Sequence, residues 1–113
     1  MGGRLGKSCV LVLATLAALG IGVTRAAAQQ PDGAALYRQQ CRTCHGAKGV
    51  PAERMQMLYP ELKALADSGA FSKLPADSII AAMRHGKGTH MKSFGDALSA
   101  EQMAAIAKYV KSL

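Results

Sequence analysis

Two cysteines and a histidine, Cys41, Cys44 and His45, form a C-x-x-C-H run near the middle of the chain. This spacing is typical of a c-type haem attachment site. Two thiols one helical turn apart can reach the two vinyl groups on one edge of a porphyrin as thioethers, and the histidine that follows becomes the proximal iron ligand. The run therefore predicts covalent haem attachment at Cys41 and Cys44 and iron ligation by His45.

Two other kinds of site use a cysteine pair of this spacing. A zinc site needs two further Cys or His ligands at comparable spacing, and only His85 and His90 remain to supply them. A redox-active dithiol belongs in a pattern that alternates strand and helix, and this sequence has no such alternation. Haem attachment is the interpretation that the rest of the chain favours.

The first 28 residues have the composition of a secretory signal peptide. Arg4 and Lys7 precede an uncharged, apolar run over residues 8–23, and Ala26 to Ala28 offer small residues for cleavage. The run is shorter than the roughly 20 apolar residues that a membrane-spanning helix needs, so an uncleaved anchor is the weaker alternative. The pattern predicts a signal peptide at 1–28 and a single exported domain at 29–113, with no stable membrane insertion after cleavage.

The exported domain is small and mildly basic. Residues 29–113 form a chain of 85 residues, which is small for a self-sufficient core, and a covalently held macrocycle adds a large apolar body to pack around. Lys and Arg in this range number 11 against seven Asp and Glu, a net charge of +4 before the haem. No aromatic residues interleave a basic stripe, so nucleic-acid binding is not indicated.

The remaining pattern predicts helices joined by loops, without the alternation typical of a strand. Asp32 is a candidate N-cap for a first helix that runs up to the haem motif, and Asp77 for a later helix that ends before Gly86. Residues 61–66 are compatible with a short helix, whereas breakers dominate the segment from Gly49 to Pro60.

The last helix has the clearest signal. Ser99 and Gln102 form the capping box S-x-x-Q. An apolar stripe at helical spacing follows, made of Met103, Ile106, Ala107 and Val110.

The order of these motifs resembles that of small bacterial class I c-type cytochromes, from Asp32 to Leu113. The matching residues are Gly33, Tyr37, Cys41 to His45, Pro60 to Leu62, Ile79 to Gly88, Met91, Phe94, Gly95, Leu98 to Gln102 and Tyr109. The resemblance implies an all-α class I cytochrome c fold, with about four short helices around one covalently attached haem c. It also implies a periplasmic location, and a close crossing of the first and last helices at Gly33 against Tyr109.

The resemblance further implies a distal ligand from the loop that contains Met91, so that His45 and Met91 are the axial ligands of the haem iron. A thioether ligand favours the ferrous state and leaves no open position at the iron. Lys92 stands where many relatives have proline, and the adjacent His90 is a competing ligand. A proline carbonyl, from Pro60 in preference to Pro51, is expected to accept the ring N–H of His45.

Two classes of function fit this site. The favoured one is a non-enzymatic one-electron carrier, free or as a subunit of a redox enzyme. It shuttles electrons from a dehydrogenase or quinol-oxidising complex to a terminal oxidase, reductase or other cytochrome, with redox proteins as partners. The alternative is a small-ligand-binding or peroxidase-like haem protein with an open or labile sixth position, in which His90 supplies the distal acid–base group.

Overall fold

The computed structural model describes residues 29–66 and 69–113, and the chain within these ranges folds into helices. Their order is α1 (Gly33–Gln40), α2 (Arg42–His45), α3 (Glu53–Leu58), α4 (Ala70–Lys73), α5 (Ala76–His85) and α6 (Ala100–Val110). Extended pairing over the same ranges is limited to an isolated bridge between Lys87 and Met91. The all-α prediction is confirmed, with the single turns α2 and α4 added to four longer helices. The signal peptide predicted at 1–28 lies outside the described residues.

The first and last helices pack closely together, as predicted. Asp32 caps α1 by accepting a hydrogen bond from the Ala35 N–H at 3.0 Å. A Cβ atom added to Gly33 would overlap the carbonyl oxygen of Ala105 and stand 3.2 Å from the Ile106 nitrogen. The absence of a side chain at Gly33 therefore allows α1 to approach the backbone of α6.

The aromatic residue predicted to meet Gly33 lies one turn further along α6. Tyr109 packs against Tyr37 of α1, with ring centroids 5.1 Å apart and planes tilted by 56°. Tilted aromatic pairs at this separation are a favourable packing arrangement. The α1–α6 contact thus consists of a glycine against backbone followed by a tyrosine against a tyrosine.

Helix α6 supplies most of the core. Its capping box is complete, because Ser99 Oγ accepts from the Gln102 N–H at 3.2 Å and Gln102 Oε1 accepts from the Ser99 N–H at 2.9 Å. The predicted stripe on this helix is buried together with Tyr37, Met83 and Leu98. Burial of one helical face is the main source of stability for such a short helix.

Helix α5 buries Met83 and packs Ile79 and Ile80 against the same core, as the pattern predicts. It begins two residues before the expected position, because Pro75 rather than Asp77 stands at the N-cap. Asp77 lies in the first turn of α5, where its negative charge suits the positive end of the helix dipole. The prediction that Asp77 caps this helix is wrong.

The segment between the haem motif and α4 differs from the sequence expectation. Helix α3 forms where breakers predicted a loop, and residues 61–66 form turns and irregular chain instead of a helix. The N–H groups of Leu65 and Ala66 donate to the carbonyl oxygen of Gly49, at 2.7 and 3.2 Å. Because these amides bond to a distant residue, a local helix does not form there.

Candidate haem site

Cys41 and Cys44 lie at the junction of α1 and α2. Cys41 is both the C-cap residue of α1 and the N-cap residue of α2. Its N–H donates to the Tyr37 carbonyl oxygen at 2.9 Å. Both side chains are free thiols. Cys41 is partly buried against the core, whereas Cys44 is exposed. The packing of α1 against α6 therefore fixes the Cys41 thiol. The Cys44 thiol lies one helical turn further along the chain and is exposed.

The Cys41 thiol is less acidic than the reactive thiol of a redox-active dithiol. Burial, and then the neighbouring Cys44, raise the pKa of Cys41 to about 11. Reactive cysteines in dithiol oxidoreductases have lowered pKa values, because the thiolate is the nucleophile. At neutral pH Cys41 is a protonated, inert thiol, which disfavours the redox-dithiol alternative.

His45 ends α2 one position after Cys44. Burial lowers the pKa of this imidazole, which keeps it neutral at neutral pH. Its Nδ1 atom is buried, and none of the described residues is hydrogen-bonded to it. Neutral imidazole is the form that binds a metal. The buried Nδ1 is the ring nitrogen that was expected to donate to a proline carbonyl, and in the ranges that the structure describes it is left without a hydrogen-bond partner.

The two prolines expected to support His45 lie in different surroundings. Pro51 is buried and its carbonyl oxygen accepts from Gln56 Nε2 at 3.2 Å, whereas Pro60 is exposed in the turn after α3. Since Nδ1 of His45 has no partner in the described part of the chain, neither carbonyl accepts its proton. The expected hydrogen bond from His45 to Pro60 is not formed.

A tyrosine links the middle of α1 to the residue after His45. Tyr37 is fully buried, and its hydroxyl donates to the Gly46 carbonyl oxygen at 2.8 Å. This bond links the middle of α1 to the end of α2, the helix that carries Cys44 and His45. Tyr37 thus helps to position the attachment motif, and the sequence pattern identified it only as a helix-packing residue.

Replacement of Tyr37 by phenylalanine should cost about 1 kcal/mol at neutral pH, the usual net contribution of one hydrogen bond. Burial raises the pKa of Tyr37 to about 12, above its ordinary value of 10.0. A raised folded-state pKa means that this stabilisation is complete below pH 10 and is lost as the pH rises toward 12. Urea unfolding of the haem-loaded proteins should therefore show a wild-type advantage at neutral pH that shrinks near pH 11. A constant difference would contradict the assignment.

Met91 lies in a loop that folds back onto the end of α5. Lys87 and Met91 exchange backbone hydrogen bonds of 2.9 and 3.3 Å, and the Phe94 N–H donates to the Met83 carbonyl oxygen at 2.8 Å. The Ser93 hydroxyl donates to the Arg84 carbonyl oxygen at 2.6 Å. These bonds fix the loop in the absence of a proline at Lys92.

Glycine makes the return of this loop possible. Gly86 has φ of +76°, a left-handed conformation that other residues rarely adopt. A Cβ atom at Gly86 would stand 2.5 Å from the carbonyl oxygen of Met91. The Met91 side chain, partly buried, packs against the core that Cys41 also contacts.

These residues fit a covalently attached haem. Two free thiols occur at the attachment spacing, a neutral imidazole follows them, and a thioether comes from a hydrogen-bonded loop on the same core. The side chains of His45 and Met91 are not in contact with each other. Across 29–66 and 69–113, no three His, Cys, Asp or Glu side chains are grouped as a metal site would require.

The competing ligand His90 is exposed and makes contacts of its own. Its ring packs against Tyr59 with centroids 4.7 Å apart, and its Nε2 atom lies 3.7 Å from Oε1 of Glu61. Both partners come from the segment that follows α3. Nothing in the sequence pattern indicated this three-residue contact, because its members are distant along the chain.

Comparisons with known proteins point to c-type cytochromes. Residues 28–110 match the family model described as cytochrome c oxidase, cbb3-type, subunit III. The chain is 40% identical over 79 residues to cytochrome c6 of Aphanizomenon flos-aquae, covering 70% of this chain and 84% of that protein. Among solved structures, the c-type cytochrome KustC0563 superposes with a TM-score of 0.64 at 30% identity, over 73% of this chain and 96% of that one. A point mutant of KustC0563 gives a TM-score of 0.62, again at 30% identity, over 72% and 96%.

The fold and the site define a small c-type cytochrome. By the extent of the match, the chain belongs to the c-type cytochrome family described as cytochrome c oxidase, cbb3-type, subunit III. It carries one covalently bound haem c and acts as an electron carrier with redox proteins as partners. None of the helices in the described ranges is long and apolar enough to cross a membrane.

Proposed function

We propose that this chain is a periplasmic one-electron carrier whose haem is attached through Cys41 and Cys44 and ligated by His45 and Met91. The observation that carries the proposal is the Met91 loop, which is hydrogen-bonded onto the end of α5 and packed against the core that Cys41 also contacts. Residues 1–28 act as the export signal. The donor is a dehydrogenase or quinol-oxidising complex, and the acceptor a terminal oxidase, a reductase or another cytochrome.

Each of the four residues has a defined task in this proposal. When bound, haem c supplies a one-electron iron couple. Cys41 and Cys44 tether it, and the neutral imidazole of His45 provides the proximal nitrogen. Met91 provides a thioether that favours the ferrous state and closes the sixth position. No catalytic residue is required, so the chain works either as a free carrier or as the cytochrome subunit of a redox enzyme.

A redox titration of the haem-loaded protein, followed by rapid mixing with hydrogen peroxide, tests this function. A closed site should give a single one-electron transition and a reduced form that peroxide oxidises only slowly, since peroxide needs an open position at the iron. Fast oxidation by peroxide with turnover of a phenolic electron donor would instead establish a peroxidase-like enzyme. That result would refute the carrier proposal.

Exposed lysines next to the haem-bearing segments are candidates for steering. Lys48, Lys87 and Lys92 are all solvent-exposed, and Lys92 Nζ lies 5.4 Å from the centroid of the Phe94 ring. Clustered charge around an electron-exit surface accelerates association with an oppositely charged partner, and salt screens the effect. We propose that these three lysines attract acidic redox partners.

Reversal of two lysines, Lys87→Glu with Lys92→Glu, should slow oxidation of the reduced protein by ferricyanide. At low ionic strength we expect a loss of about tenfold that disappears in high salt. The control is Lys73→Glu with Lys108→Glu, which changes the net charge equally at exposed lysines of α4 and α6. If the oxidation rates of both variants depend equally on salt, only the net charge matters. That result would refute the proposal that the lysines next to the haem-bearing segments attract redox partners.

A further inference from the structure

His90 and Met91 offer the iron two different ligands from adjacent positions of one loop. Their surroundings differ, because the Met91 side chain packs against the hydrophobic core while the His90 side chain is 55% exposed. Imidazole nitrogen and thioether sulfur are both established axial ligands of haem iron, and they set different reduction potentials. The fold therefore needs a way to keep His90 from replacing Met91.

Two residues outside the loop hold His90 at the surface. Tyr59, the C-cap residue of α3, packs its ring on the imidazole at 4.7 Å between centroids with a tilt of 53°. Glu61, in the turn that follows, places Oε1 at 3.7 Å from His90 Nε2. The imidazole thus packs at a tilt against an aromatic ring and has its Nε2 atom beside a carboxylate. We call Tyr59, Glu61 and His90 the His90 clamp.

Both contacts engage the part of His90 that ligation would use. A histidine binds haem iron through a ring nitrogen, so the imidazole must turn away from Glu61 and leave the Tyr59 ring before it reaches the metal. The same contacts join the Met91 loop to the segment after α3. The loop is also fixed to α5, through the bonds of Ser93 and Phe94.

We propose that Tyr59 and Glu61 are positioning residues that retain His90 at the surface and so select Met91 as the sixth ligand. The inference rests on the proposed ligation by His45 and Met91, and it adds the residues that decide between the two neighbouring ligands. Neither Tyr59 nor Glu61 touches the iron in this arrangement. They act by determining whether Met91 or His90 is available to bind the iron.

The test is the spectrum and potential of the haem-loaded variant Tyr59→Ala with Glu61→Ala at neutral pH. An aromatic contact and an exposed polar contact of this kind together shift a population ratio by about tenfold, so the ratio of histidine-ligated to methionine-ligated haem should rise by that factor. The far-red sulfur–iron band of the ferric protein should weaken at unchanged haem content, and the potential should fall. Adding His90→Ala to this variant should restore both.

Two further variants make the result specific. Tyr59→Phe keeps the ring contact and should retain the full band, and Glu61→Ala alone, at a 63% exposed side chain, tests the clamp without risk to the fold. An undiminished band in the double variant would overturn the clamp, as would a lost band that His90→Ala does not restore. If the wild-type protein lacks the band and Met91→Leu changes nothing, the proposed ligation has failed and the clamp with it.

Discussion

Replacement of Met91 by leucine is expected to lower the reduction potential by roughly 100 mV or more, within the ~0.8 V range that axial ligands control. Leucine has a similar volume, so packing of the loop against the core changes little, but it has no sulfur to offer the iron. Loss of the thioether removes its preference for the ferrous state and opens the sixth position. The reduced variant should therefore bind carbon monoxide, and the oxidised variant should lack the far-red sulfur–iron band.

A matched control comes from another methionine. Met57 lies on α3 with 70% of its surface exposed, so Met57→Leu should leave the potential, the band and the response to carbon monoxide unchanged. If Met91→Leu behaves like this control, Met91 is not the ligand. A low-spin spectrum that stays closed to carbon monoxide in Met91→Leu would instead indicate that His90 has reached the iron.

Replacement of Gly33 by alanine is expected to destabilise the haem-loaded protein by about 3 kcal/mol, the upper end of the usual cost of overpacking. Helix propensity alone predicts the opposite sign, because alanine is favoured over glycine by about 1 kcal/mol in a helix. The overlap is with the carbonyl oxygen of Ala105, a backbone atom that moves only if α6 moves. For a domain of this size the melting temperature should fall by more than about 10 °C.

The control for Gly33 is a glycine with free space around it. A Cβ atom at Gly88 would meet no atom within 4 Å, although its φ of +60° makes any substitution somewhat strained. Gly88→Ala should therefore cost only about 1 kcal/mol. A Gly33→Ala protein that melts at or above the wild-type temperature would show that α1 and α6 do not approach as closely as described.

The elements that the sequence predicted correctly depend on local signals. Helix α6 begins where the capping box of Ser99 and Gln102 places it, and its apolar stripe is the buried face. The Asp32 cap of α1 is equally local, because the acceptor and the amide it caps are three residues apart. Such signals can be identified without knowing the rest of the fold.

The elements that the sequence did not predict depend on distant contacts. Residues 61–66 lack helical bonding because Leu65 and Ala66 donate to Gly49, a partner that only the folded chain brings near. Helix α3 was hidden by the flanking prolines, and its N-cap residue Ala52 makes no side-chain capping bond that a pattern could reveal. The contact of His90 with Tyr59 and Glu61 is likewise set by the tertiary fold.

The residues of the candidate site also differ in whether local signals in the sequence identify them. Cys41, Cys44 and His45 are contiguous, so their common role follows from spacing alone. Met91 required a resemblance, because nothing local distinguishes it from other methionines in loops. The predicted support of His45 by a proline was wrong, because neither Pro51 nor Pro60 accepts the proton of His45 Nδ1 in the folded chain.

The most direct measurement is the visible spectrum of the haem-loaded wild-type protein, recorded oxidised, reduced, and reduced with carbon monoxide. Ligation by His45 and Met91 predicts a low-spin spectrum with a far-red sulfur–iron band on oxidation and no change with carbon monoxide. A low-spin spectrum without that band would indicate ligation by His90. A large shift with carbon monoxide would show an accessible iron and contradict the closed electron carrier proposed for this chain.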